Sequence, residues 1–298
     1  MNVTQASYVN SLSGGDNELR ERLNLWHDSG FVVLKKAVSA TLIDAYLADL
    51  EDLIEENHKH DSLAEHPNHR LVKVRELSRD EVHDRHVRFV DFHNASVAGK
   101  KLALTRPIVE FLGHVFHDQV VAMQSLTFRY GTEQHFHQDF AYVLSGIPSH
   151  LAAAWIALED IHPDAGPLAY YPGSHRIRKF DWGNGLFFDE RSLKGGDQFQ
   201  IHIQSECDRL GLAVATFLPK KGDVFLWHSS LAHGGTPQKD TGRTRLSLAV
   251  HYSSVTAYAR RPDDLKREPQ RWEFNGGVLY RHAWQANSED IFRRGEAL

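Results

Sequence analysis

Apolar positions in the first sixty residues recur at helical spacing, break into a short run, and then resume. Leu19, Leu23 and Trp26 share one face of the charged stretch 17–28, which ends at Ser29-Gly30, so a helix is expected there. Phe31-Val32-Val33-Leu34 reads as a short strand. Ser39 stands where a side-chain oxygen caps a second helix, which runs to about His58 with Leu42, Tyr46, Leu50, Leu53 and Ile54 along one face. Between His58 and His93 charge and histidine replace any regular period, and loops with short pieces are expected. Residues 95–117 are helical again, with Pro107 opening a new helix after Thr105, because only a first turn can spare the N–H that proline lacks.

Beyond residue 118 the period changes. Val120–Tyr130, His150–Ile161, Phe199–Ile203, Leu212–Leu218, Val224–His228 and Arg245–Tyr252 are β-rich runs separated by turns such as Pro172-Gly173-Ser174 and Lys221-Gly222-Asp223. The long helices that parallel crossovers need are missing between them. The expected fold class is mainly β with flanking helices, a sandwich or jelly-roll. No linker or repeat divides the chain, so one domain is expected over 1–298: a largely helical layer to 118, a β core over 119–253, and an extension over 254–298. Trp272, Phe274, Tyr280 and Trp284 in that extension are expected to pack on the barrel at least as readily as to touch a substrate.

Composition narrows the function classes. The 298 residues carry 34 Lys and Arg against 39 Asp and Glu, and the net charge of −5 leaves no positive field for nucleic acid. One cysteine, Cys207, excludes an intramolecular disulfide and a multi-cysteine zinc site. The start shows neither a basic n-region nor an apolar h-region, and no run approaches a membrane span, so a soluble, cytoplasmic protein without membrane partners is expected. The histidine count of 20 is high, and His is both the commonest metal ligand and a frequent acid or base, so histidine spacing directs the search.

His137 and Asp139 lie two apart in Gln134-His135-Phe136-His137-Gln138-Asp139. In extended backbone, residues i and i+2 share a side, so this segment can present an imidazole and a carboxylate to one ion. A third ligand is expected from Gly222–Gly235, where His228 and His233 are both available, and strand parity puts the two on opposite faces if the strand runs on. Two histidines and a carboxylate on one side of an ion leave the other side open, the arrangement of non-haem Fe(II) oxygenases. Arg245-Leu246-Ser247 then offers a guanidinium and a hydroxyl on one side of a strand, a match for the distal carboxylate of a keto acid. A competing His135–His137 pair of the cupin kind lacks its carboxylate, because Ala141, Tyr142 and Val143 occupy the stretch that would supply it.

With these motifs the chain resembles the phytanoyl-CoA dioxygenase family of Fe(II)- and 2-oxoglutarate-dependent oxygenases. The resemblance runs from Gly30-Phe31-Val32-Val33-Leu34 to His251-Tyr252. It takes in Ala154-Trp155-Ile156-Ala157-Leu158, Gly166-Pro167-Leu168, Pro172-Gly173-Ser174-His175 and the doublet His228 and His233. It implies a double-stranded β-helix, iron on His137, Asp139 and His233, and 2-oxoglutarate anchored by Arg245. It also makes Trp155 a pocket wall and Ser247 and Gln124 cofactor contacts, and leaves His228 a structural histidine. The implied reaction consumes O2 and 2-oxoglutarate and hydroxylates an aliphatic C–H of a small molecule, releasing succinate and CO2. Asp139 fills the position that related halogenases vacate for a halide, which argues against halogenation.

His135, His175 and Arg176 are candidate substrate-pocket residues, and 176–198, long for a strand connection, is a candidate lid. The arginines at 176 and 178 tilt the expectation towards a polar or anionic substrate. The alternatives are a cupin-type metalloenzyme that needs no keto acid and a non-catalytic ligand-binding jelly-roll. Neither requires the Arg245-Leu246-Ser247 clamp.

Overall fold

Alternation of side chains along the strands builds the molecule around one large sheet with a different core on each face. The computed structural model describes residues 17–66, 70–258, 271–280 and 292–298, so Trp284 lies outside the described residues. The helices are α1 (Asn17–Ser29), α2 (Ala40–Glu55), α3 (Arg79–His83), α4 (Val97–Ala103), α5 (Arg106–Phe116) and α6 (Gly196–Arg209). The strands are β1 (Phe31–Leu34), β2 (Leu63–His66), β3 (Arg70–Lys73), β4 (Arg88–Val90), β5 (Val120–Phe128), β6 (Ala152–Ala157) and β7 (Leu168–Tyr170). They continue with β8 (Ala215–Phe217), β9 (Val224–His228), β10 (His233–Gly235), β11 (Ser247–Ser254), β12 (Arg271–Phe274) and β13 (Gly277–Tyr280).

The large sheet runs β1-β9-β6-β11-β5-β4-β2-β3, with β13 beside β5 and β12 beside β13, and a small sheet runs β10-β7-β8. Ala152, Ala154 and Ile156 of β6, Val224 and Leu226 of β9, and Leu248, Val250 and Tyr252 of β11 face an outer core shared with α1, α2, α4 and α5. Ala153, Trp155 and Ala157 of β6, with Phe225 and Trp227 of β9, turn the other way and meet Leu168 and Tyr170 of the small sheet. Each large apolar side chain so buried contributes about 1.5–3 kcal/mol, which makes the face of every residue on these strands fixed by its parity. The two facing sheets with antiparallel strands form the double-stranded β-helix that the motifs imply.

Local chemistry sets the ends. The Ser39 side chain accepts from the Leu42 N–H at 3.3 Å and starts α2. Gly222 has φ +87°, and a Cβ there would lie 2.5 Å from the Val38 carbonyl oxygen, so the turn into β9 requires glycine.

Two expectations are corrected. Phe199–Ile203 is not a strand: it lies inside α6, where Phe199, Ile203 and Cys207 recur every four residues on the buried face. The region 58–93 is made of short pieces as expected, and among them the hairpin β2–β3 and strand β4 extend the large sheet from β5. The run 212–218 contributes only the three residues of β8. In the extension, Trp272 and Phe274 pack against the outer core, and Tyr280 stacks on Tyr258. Among the described residues no helix is long and apolar enough to cross a membrane.

Candidate metal centre and active-site chamber

The chain turns sharply between β9 and β10, and this break decides which histidine serves. His228 ends β9, where its Nδ1 accepts the Ser230 N–H at 3.0 Å and its ring lies among Trp26 and His175. Burial pushes this imidazole down to about 3, so it is a neutral structural group. Five residues on, His233 opens β10 in the other sheet and forms an isolated antiparallel bridge with His137. The His137 N–H donates to the His233 carbonyl at 2.9 Å, and the His233 N–H returns to the His137 carbonyl at 3.0 Å. Asp139 follows at the start of a short 3-10 turn, Asp139–Ala141.

Each imidazole is oriented by its backbone. His137 Nδ1 meets the His135 carbonyl at 2.9 Å and His233 Nδ1 meets the Leu231 carbonyl at 3.0 Å. A carbonyl only accepts, so the proton sits on Nδ1 and Nε2 carries the lone pair a metal needs, which in His137 has the Gln134 amide nitrogen 3.4 Å away. Both Nε2 atoms lie 3.5 Å from Asp139 Oδ1. The three ligand atoms fall within 4.8 Å of one another, the one group of its kind among the described residues. Burial pushes the His233 imidazole down to about 4 and so keeps it neutral near pH 7. Burial alone would raise the Asp139 carboxyl, but His233 and His251 beside it and the bond to His137 hold it well below the usual carboxylate range. A neutral imidazole at His233 and an ionised carboxylate at Asp139 are the protonation states a divalent ion needs.

The rest of the carboxylate is held from behind. Trp227 Nε1–H donates to Asp139 Oδ2 at 2.8 Å, leaving Oδ1 towards the histidines. His251 Nε2 lies 3.5 Å from the same Oδ2, and its Nδ1 is 3.3 Å from the Gln124 amide nitrogen.

Trp155, Phe128 and Arg245 close the far end of a chamber of about 230 Å³ that His137, Asp139 and His233 also line. The Arg245 side chain is 3% exposed, and its guanidinium stands 5.8 Å from both the Phe128 and Trp155 rings. Burial, with Arg88 nearby, pushes it down only to about 10, so it stays cationic near pH 7. Nη1 donates to the Gly166 carbonyl at 2.8 Å, while Nε has no partner. A buried cation lining the same chamber as a metal-ligand triad fits a carboxylate.

Comparison with family models decides the lineage: residues 26–246 match the model described as Phytanoyl-CoA dioxygenase (PhyH), most of the chain. The chain belongs to the phytanoyl-CoA dioxygenase family. The carbocyclase SnoK of nogalamycin biosynthesis is similar in structure at a TM-score of 0.60 and 16% identity, covering 92% of this chain and 96% of that one. The epimerase SnoN, solved with Fe3+, alpha ketoglutarate and nogalamycin RO, gives 0.59 at 18% identity over 82% and 87%. EctD from S. alaskensis, solved with 2-oxoglutarate and 5-hydroxyectoine, gives 0.59 at 19% over 84% and 79%. These likenesses speak to the fold. Comparison with curated proteins finds no significant match.

For this family member several residues sit away from their expected places. Ser247 does not line the chamber: its hydroxyl donates to the Arg245 carbonyl at 3.3 Å. His175 lies outside, with Nε2 on the His27 carbonyl at 3.0 Å and its ring under Gly30, where a Cβ would come within 2.5 Å. Arg176 is exposed and borders neither the chamber nor the cleft before it. Gln124 and Trp155 do line the chamber, and His135 borders an outer cleft of about 600 Å³. Sequence reasoning missed His251, Trp227 and Tyr142. The first had a signal, since the i, i+2 series from Arg245 passes through Ala249 to His251, and all three line the chamber.

Proposed function

We propose that this chain is an Fe(II)- and 2-oxoglutarate-dependent oxygenase that hydroxylates an aliphatic C–H of a small organic molecule. The observation that carries the reading is one chamber with two complementary groups on its wall: three metal-ligand atoms and the buried cationic side chain of Arg245. His137, Asp139 and His233 would hold the iron, and Arg245 would hold the C5 carboxylate of 2-oxoglutarate against Trp155. Loaded in this way, the site supplies oxidation in which one oxygen of O2 goes to the substrate and the other to succinate, with CO2 released.

The protein's own work is orientation and exclusion. Trp227 fixes the Asp139 carboxylate with Oδ1 forward, His251 stands beside it, and the backbone carbonyls of His135 and Leu231 fix the imidazoles. Phe128, Leu126 and Leu168 dry the chamber walls. The Asp139 carboxylate fills the coordination position a halide would need, which supports oxygenation over halogenation.

The test is 2-oxoglutarate turnover to succinate under air, with wild type against Asp139→Ala. Wild type should form succinate only with Fe(II), and the variant should fall at least about 100-fold while staying folded. Near-full turnover by the variant would remove the triad assignment. With a substrate in hand, product mass separates one added oxygen from the loss of two hydrogens and from an unchanged mass.

A further inference from the structure

The cleft of about 600 Å³ in front of the metal ligands is lined by Phe136, Tyr142, Phe188 and Phe199 on one side. Tyr142 stands 6.3 Å from the His137 ring, 5.9 Å from Phe188 and 6.4 Å from Phe199, so an aromatic wall runs from the metal ligand outward. Tyr142 is 48% and Phe188 47% exposed, which leaves apolar ring surface open to water in the middle of a concave site. The backbone supports this placement: the Phe188 N–H donates to the Ala141 carbonyl at 2.9 Å, next to the turn that carries Asp139. Exposed aromatic faces in a cavity of this size are how proteins hold ring-bearing ligands.

Charge in the cleft is already spent. Glu65 and Arg88, its two fully charged lining groups, pair with each other at 3.5 Å and are 21% and 20% exposed in their side chains. Several cations of the long loop also have partners: Arg178 donates to Glu206 at 2.9 Å, Arg191 to Asp189 at 2.6 Å, and Lys194 to the Asp181 carbonyl at 2.7 Å. Lys179 donates to the His175 carbonyl at 3.0 Å. A phosphorylated or ammonium substrate would have to part Arg88 from Glu65 in a half-closed site to pair with either, and an uncharged one would not. Of the two arginines behind the expectation of a polar or anionic substrate, Arg178 is taken up by Glu206 and Arg176 borders neither cavity, so the polar part of that expectation is the one kept.

We infer that the cleft binds an uncharged, ring-bearing small molecule, its ring face on Tyr142 and Phe188 and its hydroxyl or carbonyl groups on the polar side. The inference rests on the chamber behind the cleft being the oxidising site. Gln134, His135 and Gln200 supply that polar side, with both donors and acceptors for neutral oxygen groups.

Three probes that share one ring system test it: naphthalen-2-yl β-glucoside, naphthalen-2-yl phosphate and naphthalen-2-ylmethylammonium. Dissociation constants would be measured by ligand-observed NMR on the full chain, with and without Zn(II) and 2-oxoglutarate. The glucoside should bind at least about tenfold more tightly than either charged probe, and Phe188→Ala should weaken it about tenfold. Leu193→Ala, on the same loop and off the cleft, should leave it unchanged. Equal or tighter binding of a charged probe, no binding of the glucoside, or indifference to Phe188→Ala would overturn the inference. Expected probe binding together with failure to hold Zn(II) and 2-oxoglutarate would overturn the oxygenase reading instead.

Discussion

Asp139 is the residue on which the site turns, because it is buried, anionic and shared between the two histidines in front and Trp227 behind. Both histidines have their tautomers fixed by backbone, so neither depends on a neighbouring side chain for its orientation. The carboxylate does. Trp227→Phe keeps the ring and removes the N–H, and should weaken Co(II) or Zn(II) binding about 10- to 100-fold in a direct titration while leaving the fold intact. Unchanged affinity would mean that the indole merely packs there. The i, i+2 spacing of His137 and Asp139 was legible because extended backbone gives one answer. Ser247 misled for a related reason: its parity is that of Arg245, yet a short hydroxyl can reach its own strand's carbonyl at 3.3 Å and leave the chamber without it.

Elements were legible where one period dominated. The core-facing residues of α1 and α2, the strand β1 and the Ser39 cap follow from spacing alone. Phe199-Gln200-Ile201-His202-Ile203 alternates apolar and polar like a strand, but Phe199, Ile203 and Cys207 also satisfy a helix, and the buried set is the helical one. The strands β2 and β4 were hidden because each is short and carries charge. Helix α6 matters to the site because it anchors the loop bearing Trp182 and Phe188. Its buried Glu206 takes Arg178 from that loop and Arg209 from its own last turn. The bonds from these two arginines hold the Glu206 carboxyl well below its ordinary value near 4.5. A carboxyl lowered in the folded state stabilises above its unfolded value and loses that contribution as pH falls through the window below it. Glu206→Gln should therefore melt lower than wild type at pH 7, and the gap in melting temperature should shrink as pH falls below about 4.5. A gap independent of pH would contradict the assignment of this stability to the ion pairs.

At the scale of the molecule, the large sheet separates stability from chemistry. One face carries the outer core, the other the chamber, and adjacent residues of β9 serve different ends. Leu226→Ala empties the outer core and should cost about 2–5 kcal/mol in denaturant unfolding while leaving metal affinity of the folded protein within about twofold. The neighbouring Trp227→Phe should do the reverse. This division also explains why the jelly-roll class was legible and the meeting of its sheets was not. The runs that become β1, β5, β6, β9 and β11 follow from the sequence, whereas the His137–His233 bridge joins residues far apart in the chain.

The measurement that tests the central claim most directly is an anaerobic titration of the metal-free protein with Fe(II) and then 2-oxoglutarate, followed by visible absorption. A weak charge-transfer band should appear and saturate at one equivalent of each, and Arg245→Ala should lose it at the same 2-oxoglutarate concentration while still binding the metal. Tight iron binding with no band on adding 2-oxoglutarate would contradict the account, because the two ends of the chamber would then not serve one keto acid.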